Sequence, residues 1–313
     1  MNKHQTPFGL ILASSLGLTI SLNSFAVSCG DTITTQETLT EDLLCTDNPA
    51  LTISGPGGGL DLAGFTVECS DSSNEGIYLT GLAASVTSGE VTNCFNSILL
   101  VDDGVHSVTD IEITEPDEVG VVIDSNSNFV TGVQVIAGSG DFATGINIED
   151  PASYNQILGN FVEGAVFAGI YVEGRGNNIT SNEIVGSDNF GIRLDPDGFS
   201  NLILQNIIDG GAGIGIAVNS DFNLISQNSI NNNQTGISIE SADNNTVNIN
   251  TSDNNSVYGI AIQGTDANFN SILSNSADNN GDFDLFASDD PDCTSTNNWI
   301  GNSFTTSDPG CLN

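Results

Sequence analysis

A Gly-Ile dipeptide, or a close variant of it, returns along this chain every 21 to 25 residues. It runs from Gly76 through Gly120, Gly145, Gly169, Gly191, Gly215 and Gly236 to Gly259, with Ser97 and Asp282 at the same place in two weaker copies. The first and third residues after each marker are apolar, as in Ile170 and Val172 or Ile192 and Leu194. That alternation is the period of a β-strand with one face buried. An earlier "ALTIS", with Leu51 and Ile53, adds an eleventh copy. A repeat of this length is shorter than the roughly 30 residues of a βαβ unit, and no segment sustains a helical apolar spacing. A solenoid built of β-strand coils is the architecture that fits such a period.

A second column of residues keeps the same beat. Asn160, Asn182, Asn206 and Asn250 each stand nine residues before the next marker, Asn228 eight and Asn275 seven, and each closes an "NxhxxN" phrase such as "NLILQN" or "NLISQN". Asn tolerates the left-handed backbone of a tight corner, and stacked amides hydrogen-bond along a ladder. These asparagines are therefore expected to turn the chain and tie coil to coil.

The phrases "NxIxxN" and "GIxI", with "LDLAGFTV" at residues 60–67, resemble the right-handed parallel β-helix repeats of pectate-lyase-like and related carbohydrate-binding and sugar-hydrolase proteins. The resemblance covers residues 30 to 305. It implies an all-β, right-handed parallel β-helix of about eleven coils of 21–26 residues. Ala63 and Phe65 stand where the family commonly has Asn and His, which removes one polar pair and leaves the apolar strand. The fold hosts many chemistries, so the resemblance speaks to architecture more than to activity.

Residues 1–26 carry one Lys, the apolar run "FGLILASSLGLTISL" and small residues before Ala26, which reads as a cleaved signal peptide. Residues 27–313 are then one β-helix domain, secreted or periplasmic, with no second apolar run long enough to enter a membrane. Six cysteines fit an exported chain. Cys69 and Cys94 fall at one column of adjacent coils, and Cys29 with Cys45 and Cys293 with Cys311 would staple the two ends. The formal net charge is −37, and Arg175 and Arg193 are the only Lys or Arg beyond the leader. Such a surface repels nucleic acid and anionic membranes. The polyanion substrates of uronate lyases are disfavoured on the same ground, and the basic "RIK" element of polygalacturonase-like sites is missing.

The chemistry must lie on the outward positions of the repeated strand. Two and four residues past the markers stand one column of Asn147, Tyr171, Arg193 and Ala217, and another of Glu149, Glu173, Asp195 and Asn219. Adjacent coils are about 4.8 Å apart, a spacing that suits a retaining carboxylate pair or a shared Ca²⁺. Arg193, Asp195 and Glu173 are the candidate catalytic residues. Tyr171, Asn147 and Arg193 are the candidate ligand contacts. Glu149, Glu173 and Asp195 are the candidate Ca²⁺ ligands, and Ca²⁺ is the only cofactor suggested. His106 lies in a distant coil and reads as a loop or surface residue. Few catalytic side chains are available, so the sequence favours a carbohydrate-binding or surface-structural module with a polysaccharide partner. The alternative is a carbohydrate-active enzyme, a lyase or hydrolase on a neutral or Ca²⁺-bridged polysaccharide, working through the acidic patch.

Overall fold

The computed structural model describes residues 26–312 apart from 139, 141–142, 265, 289–293 and 295. The expected signal peptide, up to residue 25, and Cys293 lie outside the described residues. One strand from each coil enters a thirteen-stranded parallel sheet, which makes about twelve turns where the repeats suggested eleven. The additional strands are two-residue pieces at the ends, Thr32–Ile33 and Ser307–Asp308, which carry no Gly-Ile phrase. The rest of each coil forms a second parallel array that bends at a corner, as between Asn178–Thr180 and Glu183–Val185.

The core is a stack of aligned side chains. Ile170, Ile192, Ile216, Ile237, Ile260 and Leu285 form one register column, all fully buried. Burial of each contributes about 1.5–3 kcal/mol. The last member corrects the repeat. Tyr258 pairs with Phe283 and Ile260 with Leu285, so Asp284, not Asp282, holds the marker place of the final coil. There Phe283 turns outward with Phe286.

The marker glycine is needed for close approach, since it faces the interior. A Cβ on Gly191 would sit 2.5 Å from Ile208 Cγ2 and 2.5 Å from the Gly215 carbonyl oxygen. No real Cβ occupies such space, and the neighbours are a core side chain and a backbone.

Asn amides tie the coils as expected, in more than one row. Asn182 Oδ1 accepts from both the backbone N–H and Nδ2 of Asn160, at 3.0 Å each, and Asn182 donates in the same way to Asn206. The row continues through Asn228, Asn250 and Asn275 to Asn302. A parallel row joins Asn128, Asn155, Asn177, Asn201, Asn223, Asn245, Asn270 and Asn297. The asparagines do not take the left-handed conformation themselves. The residue before each one does: Ser181, Gln205, Gln227, Ile249 and Ser274 have φ between 54° and 58°. The corner is thus turned one residue early, and the Asn that follows is free to point inward.

His106 is not a surface residue. It is fully buried and occupies the ladder place one coil before Asn128, whose Oδ1 accepts the His106 N–H at 2.8 Å. Its Nδ1 accepts the Ala84 N–H at 3.2 Å, and Nε2 meets the Val101 carbonyl at 2.8 Å, so the neutral Nε2–H tautomer satisfies every group. Burial holds its pKa below the ordinary histidine range. A group that binds its proton more weakly when folded adds stability above its unfolded pKa of about 6.5 and loses it as pH falls below. His106→Asn is expected to extend the ladder, remain folded at neutral pH and lack that part of the acid destabilisation, as read from urea midpoints between pH 7 and 5.

Two expected disulfides are formed, Cys29–Cys45 and Cys69–Cys94, with Cα separations of 5.3 and 5.1 Å. They staple the N-terminal coils, where an open sheet edge otherwise faces solvent. The third pair rests on Cys293.

Candidate functional site

The strands Thr144–Ile148, Ala168–Val172 and Phe190–Leu194 lie side by side in the thirteen-stranded sheet, with Asn147 opposite Tyr171 and Tyr171 opposite Arg193. The alternation that buries Ile192 and Leu194 turns Arg193 outward. Its guanidinium donates to Asp195 Oδ1 from Nη2 at 2.8 Å and from Nε at 3.2 Å. The two side chains keep only 26 % and 23 % of their surface exposed, so they are half-buried and not ordinary surface groups.

Three rings enclose that guanidinium. Its carbon lies 4.8 Å from the centre of Phe190, 5.6 Å from Phe167 and 5.7 Å from Tyr171. Phe167 meets Tyr171 and Phe190 edge to face, at 5.2 and 5.8 Å between centroids. An Arg held on aromatic faces and on one carboxylate has little freedom left, and it fixes Asp195 in turn. Phe167 and Phe190 were missed from the sequence. Phe190 stands directly before the marker Gly191, on the side of the strand where the alternation breaks because the glycine faces inward. Phe167 comes from the preceding turn and carries no periodic signal.

The Tyr171 hydroxyl donates to Glu173 Oε1 at 3.4 Å. Burial, reinforced by the Asp195 and Glu173 carboxylates, pushes the Tyr171 phenol well above its usual pKa. The Glu173 carboxyl is also pushed up, by burial first and then by the charge of Asp195. Glu149, one coil earlier, is raised by burial and by Asp124 and Glu173. Asn147 is half-buried, and its Oδ1 has no hydrogen-bond partner.

The sheet therefore brings Tyr171, Glu173, Arg193 and Asp195 together, with Asn147 and Glu149 one coil away. Among the described residues no group of three or more His, Cys, Asp or Glu is arranged to hold a metal ion, so Glu149, Glu173 and Asp195 do not assemble the Ca²⁺ cluster their column suggested. The column beyond Arg193 shrinks to Ala217, Ser238 and Ala261, all buried. It rises again at Phe286, stacked on Tyr258 with centroids 4.3 Å apart. The outer face thus carries a low strip between two aromatic clusters.

A coil stack with internal Asn rows and an outward site on its long sheet is the arrangement of a right-handed β-helix. The family described as "Right handed beta helix region" matches residues 96–234 and 168–307, and the chain belongs to it. No curated protein matches the sequence. Among solved structures, the periplasmic alginate epimerase AlgG is similar over 88 % of this chain and 76 % of its own, with TM-score 0.68 and 14 % identity. The mannuronan C-5 epimerase AlgE6 A-module of Azotobacter vinelandii covers 87 % of this chain and 84 % of its own, at TM-score 0.58 and 12 % identity. The catalytic unit of a GH87 alpha-1,3-glucanase from Streptomyces thermodiastaticus covers 90 % and 64 %, at TM-score 0.62 and 14 % identity. At these identities the likeness is one of fold.

Proposed function

We propose that this protein is an exported carbohydrate-active enzyme that hydrolyses a neutral polysaccharide at the Tyr171–Glu173–Arg193–Asp195 site. The observation that carries the reading is the unequal treatment of two neighbouring carboxyls. Glu173 is pushed toward its protonated form, while Asp195 is clamped by a guanidinium. Two carboxyl groups held in different environments are what glycoside hydrolysis requires. Glu173 gives its proton to the glycosidic oxygen as the C1–O bond breaks. Asp195, on the adjacent coil about 4.8 Å along the axis, attacks C1 from the other side. Water then releases the sugar, with Glu173 taking back the proton.

Phe167, Phe190 and Tyr171 supply apolar faces for a sugar ring, and the low strip to Phe286 gives the chain a path. A formal charge of −37 favours a neutral glycan over a uronate. Disulfides Cys29–Cys45 and Cys69–Cys94 fit an oxidising extracellular or periplasmic compartment. The relatives of the fold include enzymes whose names state alginate epimerisation and glucan hydrolysis, which supports catalysis over a purely structural module.

Reducing-end release from a panel of neutral polysaccharides tests the proposal. Glu173→Gln and Asp195→Asn are each expected to lower the rate about 10²- to 10⁴-fold with the fold intact by circular dichroism. Because the raised pKa keeps Glu173 protonated beyond the ordinary carboxylate range, activity should fall only as pH rises past that range. Release of no reducing ends by the wild type, or equal rates for the variants, would sink the reading.

A further inference from the structure

The three coils that carry Glu149, Glu173 and Asp195 also carry, a few residues further along the chain, Tyr154, Arg175 and Phe199. These three side chains meet at the next corner of the solenoid and line an open cleft of about 520 Å³ with Gly176 and Ser200. Tyr154 keeps 68 % of its surface exposed and Phe199 38 %. The Arg175 guanidinium lies 5.6 Å from the centre of the Phe199 ring. Among the described residues the only salt bridge is that of Arg193, so Arg175 forms no ion pair in a chain dominated by carboxylates.

The hydrophobic core does not account for this arrangement, since the Tyr154 and Phe199 rings lie at the surface. Tyr154 occupies the left-handed position before the ladder residue Asn155, with φ 60°, where a bulky side chain is disfavoured and Gly or Asn is at ease. Other coils place Ser127, Gly176, Ser200, Phe222, Asn244 and Phe269 there, so what sets the Tyr154 corner apart is the arginine stacked on a second ring beside it. The ring of Tyr154 lies over Gly176, where an added Cβ would approach Tyr154 Cε1 to 3.1 Å. Both the backbone conformation and the exposure cost free energy, and neither buries core surface.

We infer that the Tyr154–Arg175–Phe199 corner is a second sugar-binding site, at which a neutral polysaccharide leaving the carboxylate wall is held. Two ring faces at a cleft the size of one or two pyranoses present apolar surface to sugar C–H groups. The planar guanidinium offers donors to vicinal hydroxyls while stacked on one of them. The occupant is a sugar chain because the cleft continues the candidate active site on the same three coils: Arg175 follows Glu173 by two residues, Phe199 follows Asp195 by four and Tyr154 follows Glu149 by five. The inference rests on the hydrolase reading for its choice of ligand.

Affinity electrophoresis tests it, since the acidic protein migrates strongly in native gels cast with dextran, laminarin, inulin, galactomannan or xyloglucan. Glu173→Gln serves as parent so that the gel polymer is not cut. The parent should be retarded by at least one polymer. Adding Tyr154→Asn, which suits the left-handed backbone, or Phe199→Ala should weaken retardation about tenfold or more, with the unfolding midpoint held or raised for Tyr154→Asn. Phe269→Asn, at the same corner place five coils away, should change nothing. Equal retardation of parent and corner variants, or no retardation of the parent in any gel, overturns the site. A wild type that is retarded through the corner yet releases no reducing ends sinks the hydrolase reading and leaves the corner site standing. A wild type that cuts polymer while the corner variants bind as the parent does sinks the corner alone.

Discussion

Replacing Asn206 with Ala is expected to destabilise the protein by about 3–6 kcal/mol, among the largest effects of any single side chain outside the hydrophobic stack. Asn206 is fully buried. Its Oδ1 accepts the Asn182 N–H at 2.9 Å and Asn182 Nδ2 at 3.0 Å, and its own Nδ2 donates to the Ile179 carbonyl at 2.9 Å and to Asn228 Oδ1 at 3.0 Å. Alanine leaves those partners short of a bond in a space that the stacked coils close to water. Each unsatisfied buried group costs about 1–3 kcal/mol, and their sharing of one cavity keeps the total below the sum. Asn206→Asp separates the two halves of the role, because a carboxylate still accepts from Asn182 but faces Asn228 Oδ1 and the Ile179 carbonyl with no proton to give. It should be at least as damaging at neutral pH and recover partly in acid. Urea unfolding checks both, and a loss under about 1 kcal/mol for the alanine variant would mean that the ladder is ornamental.

Asp284→Ala should cost about 3–5 kcal/mol and open the C-terminal coils first. The side chain is buried, at 1 % exposure, and accepts five hydrogen bonds. Oδ1 takes the Asn280 N–H and Nδ2 at 3.1 and 2.9 Å, while Oδ2 takes the Thr305 and Thr306 N–H groups and the Thr306 hydroxyl at 2.9, 2.8 and 3.0 Å. Burial alone would raise its pKa, but these donors outweigh it and hold the carboxyl below the usual range. A depressed folded pKa adds stability that is full above the unfolded value of about 3.9 and is lost as pH falls through the folded one. Hydrogen exchange should therefore show protection lost around residues 280–306 in the variant at neutral pH, and in the wild type only in strong acid. Uniform loss along the chain would count against an end-capping role.

The scaffold was legible because its two requirements fall on fixed residue types. A marker facing the interior beside Ile208 admits only glycine, and a buried corner that must both donate and accept admits asparagine, so both recur in the letters. The left-handed residue beside each ladder position was not legible. Its side chain points to solvent, and Ser, Gln, Ile, Tyr, Phe and Gly all occur there. His106 could have been found: it stands 22 residues before Asn128, at the head of "HSVTDI", which keeps the apolar third residue of the ladder phrase, with His in the first place and Ile111 in the last. A lone histidine instead invited a surface reading. At the candidate site the columns gave Tyr171, Glu173, Arg193 and Asp195, but not their neighbours Phe167 and Phe190. Those arrive from a turn and from the far side of a register break that only the packed glycine creates.

The amide rows also give the molecule a direction. In each row the N–H groups point toward the C-terminal coil and the oxygens back toward the first, without the alternation that cancels dipoles between the strands of a sheet. Three such rows, aligned side by side, amount to a macrodipole along the solenoid with its positive pole at the C-terminal end, the counterpart of the one in an α-helix. Asp284 closes the shortest row, Asn233–Asn255–Asn280, at that pole. A negative charge is favoured there by the whole column of amides behind it, and a lysine grafted onto the last coil would sit against the field.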